Sequence, residues 1–170
     1  MIDEVIAQVF GIFSFILGVS AFYQKDDKKL KIVMLLLNCN HLIHFLLLGS
    51  LVSAVGALLG AIRTFVAMHS RSQYIAWVFI CISIVGGAFL TEQWIDWLPI
   101  LGTIVGTYSI FYLSGIKLRI GFLIGACCWL SNNVAIGSIG GTLLECSVIA
   151  MNMITITRLY LDRQKQVNAI

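Results

Sequence analysis

Seven apolar runs divide the chain: Val5–Phe22, Ile32–Leu48, Leu51–Met68, Tyr74–Leu90, Leu98–Leu113, Ile120–Ile136 and Ile139–Leu161. A helix crossing a bilayer needs about 20 predominantly apolar residues, because each residue rises only 1.5 Å. Each run is close to that length and apolar nearly all round, so the solvent it predicts is lipid rather than water on one face. The joint at Gly49-Ser50 and the turn Gly137–Gly141 are short enough to make tight helical hairpins. The expected fold class is all-α transmembrane with seven helices.

Composition agrees. The chain is 59% hydrophobic and 11% charged, where a soluble domain carries roughly 25% charged residues. The five cysteines (Cys39, Cys81, Cys127, Cys128, Cys146) all fall in the runs and show no metal-ligand or redox spacing, so they read as small packing residues. The start, Met-Ile-Asp-Glu, is acidic where a signal peptide needs basic residues, and the first run is expected to be a retained span.

Net charge is only +3, but its distribution orients the chain. Lys25, Lys28, Lys29 and Lys31 follow the first run. Arg71 follows the third, with Arg63 inside it. Lys117 and Arg119 follow the fifth, and Arg158, Arg163 and Lys165 close the seventh. The opposite ends hold Asp3, Glu4, Glu92 and Asp96 and no Lys or Arg, with Trp94 and Trp97 beside them. Positive charge stays on the cytoplasmic side, which predicts an outside N-terminus and a cytoplasmic C-terminus.

The first three runs also align with the last three. Gly11 meets Gly102, Lys29 meets Lys117, Lys31 meets Arg119, and Gly49-Ser50 meets Gly137-Ser138 after a shorter first loop; His41 then falls on Trp129 and His44 on Asn132. Small residues stripe the first helix of each triplet (Gly11, Ser14, Gly18, Ala21; Gly102, Gly106, Ser109), and Gly56 and Gly60 stripe the third run. Such stripes let helices approach closely in lipid. Residues 1–70 and 97–170 are therefore expected to be two three-helix bundles, and 71–96 a linker helix. An odd linker restores the starting side, so both triplets insert in the same orientation, as a parallel repeat.

Polar groups inside the runs are the candidate site, since ionisable groups in hydrocarbon are costly and face an interior or a cavity. Glu145 and Asn152 share a face of the seventh run, and Gly125, Trp129 and Asn132 share one in the sixth. Asn38, Asn40, His41 and His44 cover an arc of about 160° at 100° per residue. Asn133 adjoins Asn132, and Arg63 lies towards the cytoplasm on the glycine face of the third run. The candidates are Asn38, His41, His44, Arg63, Trp129, Asn132, Asn133, Glu145 and Asn152, an axial file between the two bundles. Trp129 would stack on a ring while amides select hydrogen-bonding groups. Each has a plainer role as well: Arg63 can snorkel to headgroups and the asparagines can bond helix to helix. His41 and His44 lack a third metal ligand in register. No nucleophile–base set, metalloprotease motif or phosphate loop is present, and the seventh run has no Lys for a retinal Schiff base.

The chain resembles the YgjV family of bacterial inner-membrane proteins in AIRT (61–64), LPILGTIVGTYSIF (98–111), CCW (127–129), GSIGGT (137–142) followed by Glu145, and Met151-Asn152 with Arg158 beyond. That resemblance implies a multi-pass inner-membrane location and no particular activity. The plan of three, one and three helices is similar to the SWEET and PQ-loop superfamily and to PnuC-type transporters. By that likeness Asn152 and Trp129 hold places that line a sugar site, whereas Arg63-Thr64 stands where a second Asn would sit. The Pro-Gln hinge is missing, Gln24 following Tyr23 and the single proline, Pro99, opening the fifth run. The expected function is a non-enzymatic transporter or facilitator of a small polar metabolite, without cofactor, metal or nucleic acid, in contact with membrane lipid and open to homo-oligomer formation. The rival expectation is a receptor or accessory protein with a packed polar core.

Overall fold

The computed structural model describes the backbone of residues 2–47, 51–70, 72–90, 94–135 and 139–168. The joints at Gly49-Ser50 and Gly137-Ser138, Arg71 and Glu92 lie outside the described residues. Seven α-helices follow one another: α1 Ile2–Tyr23, α2 Asp27–Leu47, α3 Leu51–His69, α4 Gln73–Leu90, α5 Trp97–Tyr112, α6 Gly115–Ala135 and α7 Ile139–Asn168, with a 3-10 turn at Trp94–Asp96. No strand occurs among the described residues.

Local chemistry sets several helix ends. Gln24 closes α1, its side-chain amide donating to the Ser20 carbonyl at 3.2 Å. Asp26 caps α2: its carboxylate accepts from the Lys29 backbone N–H at 2.7 Å, an N-cap bond at the positive end of the helix. Between α5 and α6 the chain turns at Gly115, whose φ of 56° is left-handed and suits a residue without Cβ.

Two compact units result, Met1–His69 and Ser70–Ile170. In the first, α2 packs against both α1 and α3; in the second, α6 packs against both α5 and α7, and α4 packs on α5. The middle helix of each trio therefore carries two interfaces. Close approaches are made by glycine. A Cβ at Gly102 would lie 3.0 Å from the Gly125 carbonyl oxygen, and one at Gly125 would lie 3.1 Å from the Gly102 oxygen, so α5 and α6 cross backbone on backbone. Gly87 similarly leaves room for the Ile100 side chain against α4.

The distribution of side chains is inverted relative to a water-soluble protein. Ile12, Phe13, Ile16, Trp77 and Val85 are exposed, and Tyr74 and Phe89 reach 85%. Ser14, Lys31, Thr64, Thr107, Ser109, Arg119, Asn132, Asn152 and Thr155 are buried. An apolar exterior of this extent belongs in lipid. Several hydroxyls, buried or half-buried, bond to their own helix: Thr107 to the Thr103 carbonyl, Ser109 to Val105 and Ser83 to Phe79, at 2.7 to 2.8 Å. Among the described residues, one helical stretch, Thr142–Asn168, is long and apolar enough to span by length and composition; Val9–Tyr23, Ala57–His69, Gln73–Phe89 and Ile100–Tyr112 are shorter apolar helices. Helices α2 and α6 begin among charged residues, Asp27 to Lys31 and Lys117 with Arg119, which shortens their apolar part.

Candidate functional site

In the first unit the polar groups of α2 are divided between its two neighbours. Asn38 donates to the Met34 carbonyl at 2.8 Å, along its own helix. Its Oδ1 sits against α3, where a Cβ on Gly60 would lie 2.7 Å from it. His44 faces α1, its Cε1 3.4 Å from where a Gly11 Cβ would be. His41 and His44 have ring centroids 6.4 Å apart. Asn38 and His44 thus serve different interfaces of the same helix, where a single file was expected, because α2 is flanked on both sides. Arg63 lies on α3, half-buried and engaged in contacts.

Several polar anchors were not among the expected site residues. Asn40 donates both to the Phe10 carbonyl at 2.7 Å and to the Ser14 hydroxyl at 2.8 Å, joining α2 to α1. Lys31, expected as an interfacial charge, is buried and donates to the Ala67 carbonyl on α3 at 3.0 Å. Arg119, at the aligned place in the second unit, is 0% exposed. Thr64 is also fully buried, and its hydroxyl oxygen has no hydrogen-bond partner among the described residues.

In the second unit Trp129 lies on Gly102 of α5, with a Gly102 Cβ position 2.7 Å from its Cδ1 and 3.0 Å from its Nε1; the indole is still 38% exposed. Asn132, one turn on, is buried. The Asn133 side chain lies outside the described residues. Glu145 is half-buried on α7, with no ion-pair partner among the described residues of its unit. Two turns on, Asn152 is 0% exposed. One of its amide hydrogens goes to the Val148 carbonyl at 3.2 Å, while Oδ1 accepts nothing among the described residues. Trp129 therefore faces α5 by contact, and Asn152 and Glu145 belong to α7 on the other side of α6.

No group of three His, Cys, Asp or Glu suited to a metal ion is assembled among the described residues. A shallow open groove of about 290 Å³ lies between α5 and α6, lined by Val105, Tyr108, Leu113, Lys117, Ile120 and Ile124 with Ser109 and Gly121 at its floor. None of the expected site residues lines it.

The inverted exterior and the buried amides describe a membrane protein without saying which. The family described as Imp-YgjV, bacterial inner membrane protein, matches residues 5–163, nearly the whole chain. The chain belongs to the YgjV family. It is 33% identical over 157 residues to the inner membrane protein YgjV of Escherichia coli (strain K12), covering 91% of this chain and 85% of that protein. No solved structure matches the chain. As a YgjV-family member it is a multi-pass protein of the bacterial inner membrane, and its all-helical fold fits that place.

Proposed function

We propose that this YgjV-family protein is a carrier or facilitator for a small polar solute, built from two copies of a three-helix unit joined by α4, with the N-terminus outside and the C-terminus in the cytoplasm. The observation that carries the reading is the Asn152 carboxamide oxygen, buried and without a donor among the described residues. An acceptor buried and unsatisfied costs about 1–3 kcal/mol, a cost offset when a solute supplies the donor. Thr64, which the alignment places opposite Asn152, repeats the feature with its hydroxyl.

Burial within each unit supports the repeat. Leu30, Lys31 and Met34 are the buried face at the start of α2, and their aligned partners Leu118, Arg119 and Phe122 are buried in α6. Where unit one has the larger Asn38 on α2 against Gly60 on α3, the aligned residues are Ala126 on α6 and Val148 on α7, small and large exchanged and both buried. The likeness to SWEET and PnuC-type carriers rests on this repeat. Within the second unit, Trp129 offers a flat apolar face, Asn132 and Asn152 offer amides, and Glu145 offers a carboxyl. The pair that shares α7, the Asn152 amide and the Glu145 carboxyl, favours a neutral or cationic solute rich in donors.

A second reading, a non-transporting receptor or accessory protein with a packed polar core, is favoured by Asn40, whose amide is spent on α1. Uptake by proteoliposomes of a panel of sugars, nucleosides and amino acids separates the two. Uptake of one panel member that is lost in Trp129→Ala, Glu145→Gln and Asn152→Leu supports the carrier. Uptake that survives in Trp129→Ala and Glu145→Gln removes the site assignment, and no uptake of any probe favours the packed core.

A further inference from the structure

We propose that the groove between α5 and α6 holds an acyl chain of an anionic phospholipid from the cytoplasmic leaflet, with the lipid phosphate at Lys117. The groove belongs to the second unit alone and uses none of the solute-site residues, so the proposal stands apart from transport; its choice of leaflet rests on the orientation proposed above. Its walls are apolar: Val105, Tyr108 and Leu113 from α5, Ile120 and Ile124 from α6. Its depth has a definite cause. Gly121 has no side chain, and a Cβ there would collide with the Ser109 hydroxyl, so the wall is cut down to backbone on one side. The Ser109 hydroxyl donates to the Val105 carbonyl at 2.7 Å, which leaves the floor without a free donor.

Chemistry changes at one end. Lys117 stands exposed in the first turn of α6, just after the Gly115 turn, and has no hydrogen-bond or ion-pair partner among the described residues of its unit. Arg119, two residues on, is fully buried, so Lys117 is the exposed basic group of this turn. From Lys117 to Ile124 the groove runs about 10 Å along α6 at 1.5 Å per residue. That is the layout of a headgroup site continuous with a slot for the upper part of one chain. Lipid tails are as apolar as the groove, so filling it gains nothing by the hydrophobic effect. Selectivity must come from the head, where a lysine near the surface favours an anionic lipid about fivefold.

The test uses the full-length protein in nanodiscs of phosphatidylethanolamine and phosphatidylglycerol in equal amounts, with the retained lipids identified by native mass spectrometry after gentle release. Phosphatidylglycerol is expected to be retained about fivefold over phosphatidylethanolamine. Lys117→Gln should abolish that preference and Lys117→Arg should keep it. Ile124→Trp, which fills the inner end of the groove, should lower retention of both lipids. Lys165→Gln removes a basic residue outside the groove and should change nothing. An equal loss in Lys165→Gln would mean general surface attraction and overturn the proposal, as would an unchanged preference in Lys117→Gln or unchanged retention in Ile124→Trp. Circular dichroism melts establish that each variant is folded.

Discussion

The ammonium group of Lys31 on α2 donates to the backbone carbonyl of Ala67 on α3 at 3.0 Å, inside the first unit. Ala67 lies in the last turn of α3, which ends at His69. Its carbonyl is among the four that a helix leaves without an internal donor, at the end where the helix dipole favours a cation. Lys31→Met should therefore lower stability by about 1.5–3 kcal/mol, the range for a hydrogen bond to a charged group. Lys31→Arg should retain most of it. Thermal melting in detergent, with the variants compared side by side, measures both.

Gly60 and Asn38 make a second pair that can be tested by exchange. A Cβ at position 60 would lie 2.7 Å from Asn38 Oδ1, closer than side chains tolerate. Gly60→Val should cost about 1–3 kcal/mol through overpacking. Combining it with Asn38→Ala should recover part of that loss, since residues in contact couple non-additively. Strictly additive melting shifts would show that the two side chains do not meet.

Thr64 and Asn152 are expected to behave in the opposite way. Both carry a buried oxygen with no donor among the described residues. Replacing such a group by an apolar one of similar shape removes a desolvation penalty. Thr64→Val and Asn152→Leu should leave stability unchanged or raise it by about 1 kcal/mol. Any thermal stabilisation that a transported solute gives the parent protein should disappear in both. A clear loss of stability in either variant would instead mean that its oxygen is bonded in the membrane.

At the α5–α6 crossing, Gly102 and Gly125 each bring the other's carbonyl to about contact distance, 3.0 and 3.1 Å from the position a Cβ would take. Neither backbone oxygen can swing aside as a side chain can. Gly102→Leu and Gly125→Leu should each cost more than Gly106→Leu, because a Cβ at Gly106 meets nothing within 4 Å. Expression level and melting temperature of the three variants give the ranking.

The seven helices were legible because hydropathy marks what can sit in lipid, but their ends were not. Asp27 starts α2 where the apolar run begins at Ile32, and Gly115 starts α6 ahead of Ile120. Hydropathy stops at charges, whereas a helix continues through them once Asp26 caps it. Helix α7 likewise continues to Asn168, past Leu161, through polar residues that favour helix as much as apolar ones do. For the site, phase alone put Asn38 and His44 on one broad arc. Which neighbour each meets depends on α2 lying between two helices, and no one-dimensional pattern states that. Thr64 was placed by the likeness where a second Asn would sit, but the unbonded state of its hydroxyl was hidden for another reason. A threonine in a transmembrane helix is expected to bond back to its own turn, as Thr107 does, and only the folded structure reveals one that does not.

The two hydrogen bonds of Asn40 bear on how the chain is made. Thr107, Ser109 and Ser83 carry their acceptors with them on their own helices, so those hydroxyls are satisfied before any neighbour arrives. Asn40 is different: both acceptors, the Phe10 carbonyl and the Ser14 hydroxyl, belong to α1. As α2 leaves the insertion machinery, its amide has a ready partner only if α1 is still beside it. Synthesis from the N-terminus delivers α1 first, and the asparagine gives that helix a reason to wait. The α1–α2 hairpin is then the smallest piece of the first unit that can enter lipid with the Asn40 amide already bonded across to α1, and α3 has a finished surface to join.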